Sequence, residues 1–159
     1  MTTNLTYSDI SSDTSSIGLD ASERTLRFVL AALSEGRFSE VVNRFDDHFT
    51  FIDHALDLEF KDKERLIEFF RKSRELFPDT ALEIESAFAY RDHAVAEWKL
   101  TATQTEFVWN QNFRSPIVVL GSTIVRVDNG RIVRWSEYYD GLKSRRYRLA
   151  GIFRERIEY

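Results

Sequence analysis

The 159-residue chain has no cysteine, one methionine, two prolines, six glycines and three histidines. Without cysteine there is no disulfide framework and no thiol chemistry. The three histidines, His48, His54 and His93, join no His/Asp/Glu cluster with ligand spacing on one face, so neither a metal nor another cofactor is expected. No glycine-rich loop of the phosphate-cradling kind occurs. No apolar run approaches the ~20 residues of a membrane-spanning helix, and the basic-then-apolar layout of a signal peptide is missing. A cytoplasmic protein with no membrane partner is the expectation. Charge of one sign is lacking too. Twenty-two Lys and Arg against 26 Asp and Glu give a net charge of −4, which argues against broad nucleic-acid binding. A local basic excess lies between 142 and 159, with Arg145, Arg146 and Arg148 at its centre. It reads as a solvated tail or helix face, or as a grip on an anion.

What the chain has in excess is rings: 13 Phe, 6 Tyr and 3 Trp, 14% of residues. They make either a large aromatic core or the lining of a hollow. The length suits one domain with a real core. Residues 1–19 are Ser-, Thr- and Asp-rich without periodicity and read as a flexible arm. A single domain is expected over 20–150, with a basic tail at 151–159. Asp20 to Glu23 is helix-start chemistry, and Leu26, Val29, Leu30 and Leu33 share one face at helical spacing. Gly36 ends that helix, and Phe38–Phe45 reads as a second, short one. Asp62–Leu76 is strongly amphipathic and is closed by Pro78.

Elsewhere the period is two. In His48–His54, Phe49, Phe51 and Asp53 share one face, which puts a carboxylate at the end of an aromatic, inward row. Leu56–Phe60 continues as a short strand or turn. Leu82, Ile84, Phe88 and Tyr90 line up against Glu83, Glu85 and Arg91. Ala96, Trp98, Leu100, Ala102 and Gln104 oppose Glu97, Lys99, Thr101, Thr103 and Thr105, so the sheet has one covered and one wetter face. Asn110–Pro116 reads as a loop. The run from Ile117 to Val127, the Asn129-Gly130 turn and the run from Arg131 to Asp140 form a hairpin. Its first strand turns Ile117, Val119, Gly121 and Thr123 inward. Its second carries Val133, Trp135, Glu137 and Tyr139 on one face. Leu142–Leu149 reads as a final helix. The fold class is therefore α+β: three helices on one face of a curved antiparallel or mixed sheet, too few to fill it, leaving a cone-shaped pocket.

This order of elements, with Leu120-Gly121, Asn129-Gly130-Arg131-Ile132 and Trp135-Ser136-Glu137-Tyr138-Tyr139-Asp140, resembles the nuclear transport factor 2-like superfamily, in its SnoaL-like polyketide cyclase branch, over about residues 22–150. The segment from Gly130 to Asp140 is also similar to the last strand of limonene epoxide hydrolases. The superfamily includes isomerase, dehydratase, epoxide hydrolase and cyclase enzymes as well as non-catalytic binding modules, so fold does not fix function. In ketosteroid isomerase-like members a carboxylate base ends the first strand, where Asp53 stands. The epoxide hydrolases carry an amide residue there, a Tyr in place of Phe51, and an acid at the position of Glu137. They also need an Arg and an Asp two apart on the central strand, where Trp98 and Leu100 stand here, which argues against that activity. Dehydratase-like members use an inward His with an Asp, whereas the three His here face outward or lie in a turn.

Asp53 and Glu137 are the candidate catalytic pair. A carboxylate in an aromatic pocket loses hydration and its pKa rises toward neutrality, where it can shuttle protons. The alternatives are that Asp53 caps a turn before Ala55 and that Glu137 pairs with an Arg such as Arg114. Phe51, Tyr90, Trp98, Leu100, Val119, Trp135 and Tyr139 are the candidate substrate-binding wall, or else plain core. Two functions compete. One is a cofactor-independent isomerase, cyclase or dehydratase acting on a hydrophobic ketone-like or polyketide-like molecule. The other is a non-catalytic ligand-binding or dimerisation module. Both are compatible with a homodimer formed through the outer sheet face, on the side of Glu97, Lys99, Thr101 and Thr103.

Overall fold

A computed structural model describes residues 20–108 and 111–140. Three helices, α1 (Ala21–Ser34), α2 (Phe38–Val42) and α3 (Lys63–Leu76), pack on one six-stranded sheet. Its strands are β1 (Phe45–Asp53), β2 (Leu58–Phe60), β3 (Ala81–Tyr90), β4 (His93–Val108), β5 (Gln111–Asp128) and β6 (Arg131–Tyr139). The spatial order is β2-β1-β6-β5-β4-β3. Neighbours are antiparallel except β1 and β6, which run parallel, so the sheet is mixed. The arm over 1–19, the helix expected over Leu142–Leu149 and the basic tail lie outside the described residues.

The helix ends follow their capping chemistry. Asp20 accepts from the Ser22 backbone N–H, and Asp62 from that of Arg65, which satisfies donors the first turn cannot. Gly36 takes φ +75° just beyond α1, a conformation that favours glycine. Arg74 then ties the layers together. Its guanidinium donates to the carbonyls of Leu33 and Ser34 at the end of α1 and to those of Pro78 and Thr80 before β3.

Inward residues fall in cross-strand rows. Phe51, Trp135, Val125, Ala94 and Ala89 form the deepest aromatic row. There Phe51 stacks on Trp135 with the planes 10° apart and meets Phe70 edge-on. The next row is Asp53, Glu137, Thr123, Ala96 and Ala87; the one after is Tyr139, Gly121, Trp98 and Ile84. Trp98 and Gly121 are direct partners, and a methyl on Gly121 would overlap the indole. The glycine is required by this close approach, not by its own φ. Gly121→Ala should therefore cost about 1–3 kcal/mol, as overpacking does, read as a lower urea midpoint with an unchanged slope; an unchanged midpoint would mean the indole moves aside freely.

Several expectations need correction. The segment Phe38–Phe45 is not one helix: α2 ends at Val42 and Phe45 opens β1. The stretch from Asn110 to Pro116 is no simple loop, because β5 begins at Gln111 and runs through Pro116. Beyond Gly121 toward its start, β5 has no β6 partner, and an edge of this kind tolerates proline. The strand face assigned to Leu82, Ile84, Phe88 and Tyr90 is broken by a bulge, with pairing passing from Ile84–Trp98 to Ser86–Glu97. The extra residue reverses the alternation. Ala87 and Ala89 turn inward, while Phe88 and Tyr90 are 61% and 70% exposed. A similar irregularity in β6 leaves Val133 unpaired and seats Ile132 in the core instead.

Candidate functional site

β1 and β6 lie side by side and in register, with Asp53 opposite Glu137. Paired residues on parallel strands project to the same face, about 4.8 Å apart in the backbone. Both carboxyls therefore enter a cavity of about 180 Å³ beneath the helices. Trp98, Leu100, Ala102, Ile117 and Val119 form its sheet wall. Leu33, Phe38, Phe69, Phe70 and Phe77 come from the helical side, and Tyr139 stands beside the acids.

Asp53 ends β1, and the chain must turn sharply to reach β2. Its Oδ1 accepts the backbone N–H groups of Ala55 (3.0 Å) and Leu56 (2.9 Å), fixing that turn. Its Oδ2 accepts the Tyr139 hydroxyl at 2.7 Å. So the turn cap considered from sequence is present, and the other oxygen still addresses the site. Glu137 Oε1 accepts the Trp135 indole N–H at 2.9 Å. No described cation lies within ion-pair distance of Glu137, and Arg114 is not its partner. Among the described residues no buried side-chain polar atom lacks a partner. Glu137 Oε2, which has no hydrogen-bond partner among the described residues, is thus open to the cavity.

Burial raises the pKa of Asp53, opposed by the Leu56 N–H, the Tyr139 hydroxyl and the Ala55 N–H. Burial, then the charge of Asp53, push Glu137 up to about 8, and the single Trp135 bond only partly offsets them. Burial likewise raises the Tyr139 phenol, as do the two carboxylates. The difference in donors decides the division of protons. Three bonds favour the anion at Asp53, one at Glu137, so at neutral pH the pair holds its proton mainly on Glu137.

The structure brings Asp53, Glu137, Trp98, Leu100, Val119 and Tyr139 to one cavity. It does not bring Phe51 or Trp135, which lie one row deeper and are fully buried; Trp135 reaches the site only through its N–H. Tyr90 is on the opposite face of the sheet. His54 is exposed, its ring stacked on Tyr138 at 4.3 Å. Sequence reasoning missed the helical side of the cavity. Phe69 and Phe70 were visible as an apolar stripe on α3, but a stripe does not say whether it meets side chains or space. Ile117 and Ala102 were visible as inward positions without a role.

A profile of the SnoaL-like domain matches residues 26–135. No functionally curated protein matches the sequence. Solved structures share the fold. A candidate SnoaL-like polyketide cyclase from Shewanella putrefaciens superposes with a TM-score of 0.70 at 11% identity, covering 83% of this chain and 98% of its own. A candidate polyketide cyclase from Acidithiobacillus ferrooxidans gives 0.65 at 25% identity, covering 86% and 99%. An LEH-like epoxide hydrolase from M. tuberculosis gives 0.61 at 19% identity, covering 84% and 92%.

Proposed function

This chain belongs to the SnoaL-like domain family of the nuclear transport factor 2-like superfamily, and we propose that it is a cofactor-independent acid–base enzyme acting on a hydrophobic, ketone-like small molecule. The observation that carries this is two carboxyl groups side by side in an apolar cavity, held by neutral donors and with no described cation to pair them. A structural role accounts for the turn cap at Asp53, but gains nothing from a second buried acid beside it at Glu137.

In this reading the substrate carbonyl lies against Glu137 Oε2, whose proton forms a hydrogen bond to the oxygen. Asp53 removes a proton from the neighbouring carbon, and charge moves onto the carbonyl oxygen as an enol or enolate. Return of the proton from Asp53 to a different carbon gives isomerisation; attack of the carbanion on a second carbonyl, whose new alkoxide takes that proton, gives cyclisation; departure of a β-hydroxyl with that proton as water gives dehydration. Tyr139 holds Asp53 in place. The test is exchange of α-hydrogen for deuterium in a small cyclic ketone, followed by NMR in deuterated buffer. Exchange well above that of free acetate at the same concentration supports the enzyme. Binding without exchange supports the non-catalytic module.

The partner is a second copy of the chain. The outer sheet face carries Val118, Leu120 and Ile124 on β5, all exposed, with Phe88 alongside on β3. Exposed apolar patches of this kind mark interaction surfaces. Leu120→Glu places a carboxylate opposite Lys99 across the strands, which suits the monomer but not a buried interface. Sedimentation should show a dimer for the parent and a monomer for the variant; a parent that sediments as a monomer removes the proposal.

A further inference from the structure

The size of the cavity and the way Trp98 is fixed restrict what can enter. An apolar cavity on the order of 150 Å³ accepts one benzene-sized ring, and drug-sized ligands need ~300 Å³ or more. At about 180 Å³ the space within the described walls takes a single ring with small substituents, and a fused three- or four-ring skeleton extends past them. The limit is set by a rigid group. Trp98 is 4% exposed and donates its indole N–H to Thr123 Oγ1 at 2.9 Å, and Thr123 is itself fully buried. Behind the indole lies Gly121, which has no side chain, so the ring is already seated as deep in the sheet as the backbone allows. It cannot withdraw further to make room. On the helical side, Phe70 is held against both Phe51 and Phe38. Polar recognition away from the acids is limited. Arg74, the one cation among the described lining residues, directs four of its five N–H donors to backbone carbonyls.

Resting on the acid–base reading of the same site, we infer that the substrate is a neutral compound with a single carbocyclic ring bearing the ketone, and that Trp98 is the residue that excludes larger ring systems.

The experiment is a binding series by NMR titration with the full chain. It uses toluene and methylcyclohexane as non-reacting rings, cyclohexanone and 2-methylcyclohexanone as reactive ones, a two-ring decalone and a four-ring steroid ketone. Single rings should bind at least tenfold more tightly than the decalone, and the steroid should not bind. Trp98→Ala should reduce the discrimination against the decalone at least tenfold, and Trp98→Phe, the milder change, should reduce it in the same direction. Should Trp98→Ala fail to fold, the parent series and Trp98→Phe still decide. A steroid or decalone bound as tightly as cyclohexanone by the parent overturns the size limit, as does a series in which nothing binds. If toluene binds but no ketone exchanges its α-hydrogens, the acid–base reading fails while the size limit stands. If large ketones bind and exchange, the size limit fails and the chemistry stands.

Discussion

Asp53→Asn should lower α-proton exchange in a bound cyclic ketone by about 10²- to 10⁴-fold, the usual contribution of a positioned general base. The asparagine keeps the structural duties of the residue it replaces. Its Oδ1 still accepts the Ala55 and Leu56 N–H groups, and its amide nitrogen can donate to the Tyr139 oxygen in place of the bond that Oδ2 accepts. What disappears is the basic lone pair. Thermal stability should therefore stay close to the parent's while exchange falls, and ring binding should persist. Asp53→Ala is the poorer probe because it also releases the turn after β1, leaving two backbone donors short of a partner at a cost of about 1–3 kcal/mol each where buried. An Asn variant with full exchange would show that some other group takes the proton.

The acids were legible because period-two alternation survives wherever a strand is regular. Asp53 follows Phe49 and Phe51 in parity, Glu137 follows Trp135, and the structure sets the two opposite each other on adjacent strands. Their adjacency was not legible. It depends on a parallel pairing of the first and last strands, separated by some eighty residues, and no local pattern encodes a long-range partner. Tyr90 shows the other limit. Its alternation with Leu82 and Ile84 is clean in the sequence, but one extra residue near Glu85 reverses the faces, and a bulge leaves little trace in composition. The proline at 116 misled in the opposite direction: it looked like a break because its place on β5 beyond the end of the β6 pairing is a property of the assembled sheet. Phe51 and Trp135 were placed on the inward face but assigned to the wrong depth, since alternation gives a side chain's face and not whether it meets a void or another ring.

Glu137→Gln should flatten the dependence of stability on pH. In the unfolded chain Glu137 titrates near 4.5, and in the fold burial and the nearby Asp53 move it to about 8. Between those values the unfolded chain has released the proton and the folded one still holds it, so the unfolded state binds fewer protons and stability falls as pH rises. The group's contribution is fully present below pH 4.5, declines through neutrality, and is gone above about 8. Each tenfold difference in acidity corresponds to about 1.4 kcal/mol, which puts the full span on the order of 5 kcal/mol. Asp53, raised in the same direction by burial, adds a slope of the same sign at lower pH. Glutamine has no proton to lose and its Oε1 can still accept the Trp135 indole N–H, so the core beneath it is kept. Urea midpoints measured from pH 4.5 to 9 should therefore descend steeply for the parent and only weakly for the variant. The two curves should cross, with the variant the more stable protein above pH 8. Parallel curves would mean that Glu137 ionises as freely in the fold as outside it, and a group that does so is too well solvated to carry a proton to a ketone at neutral pH.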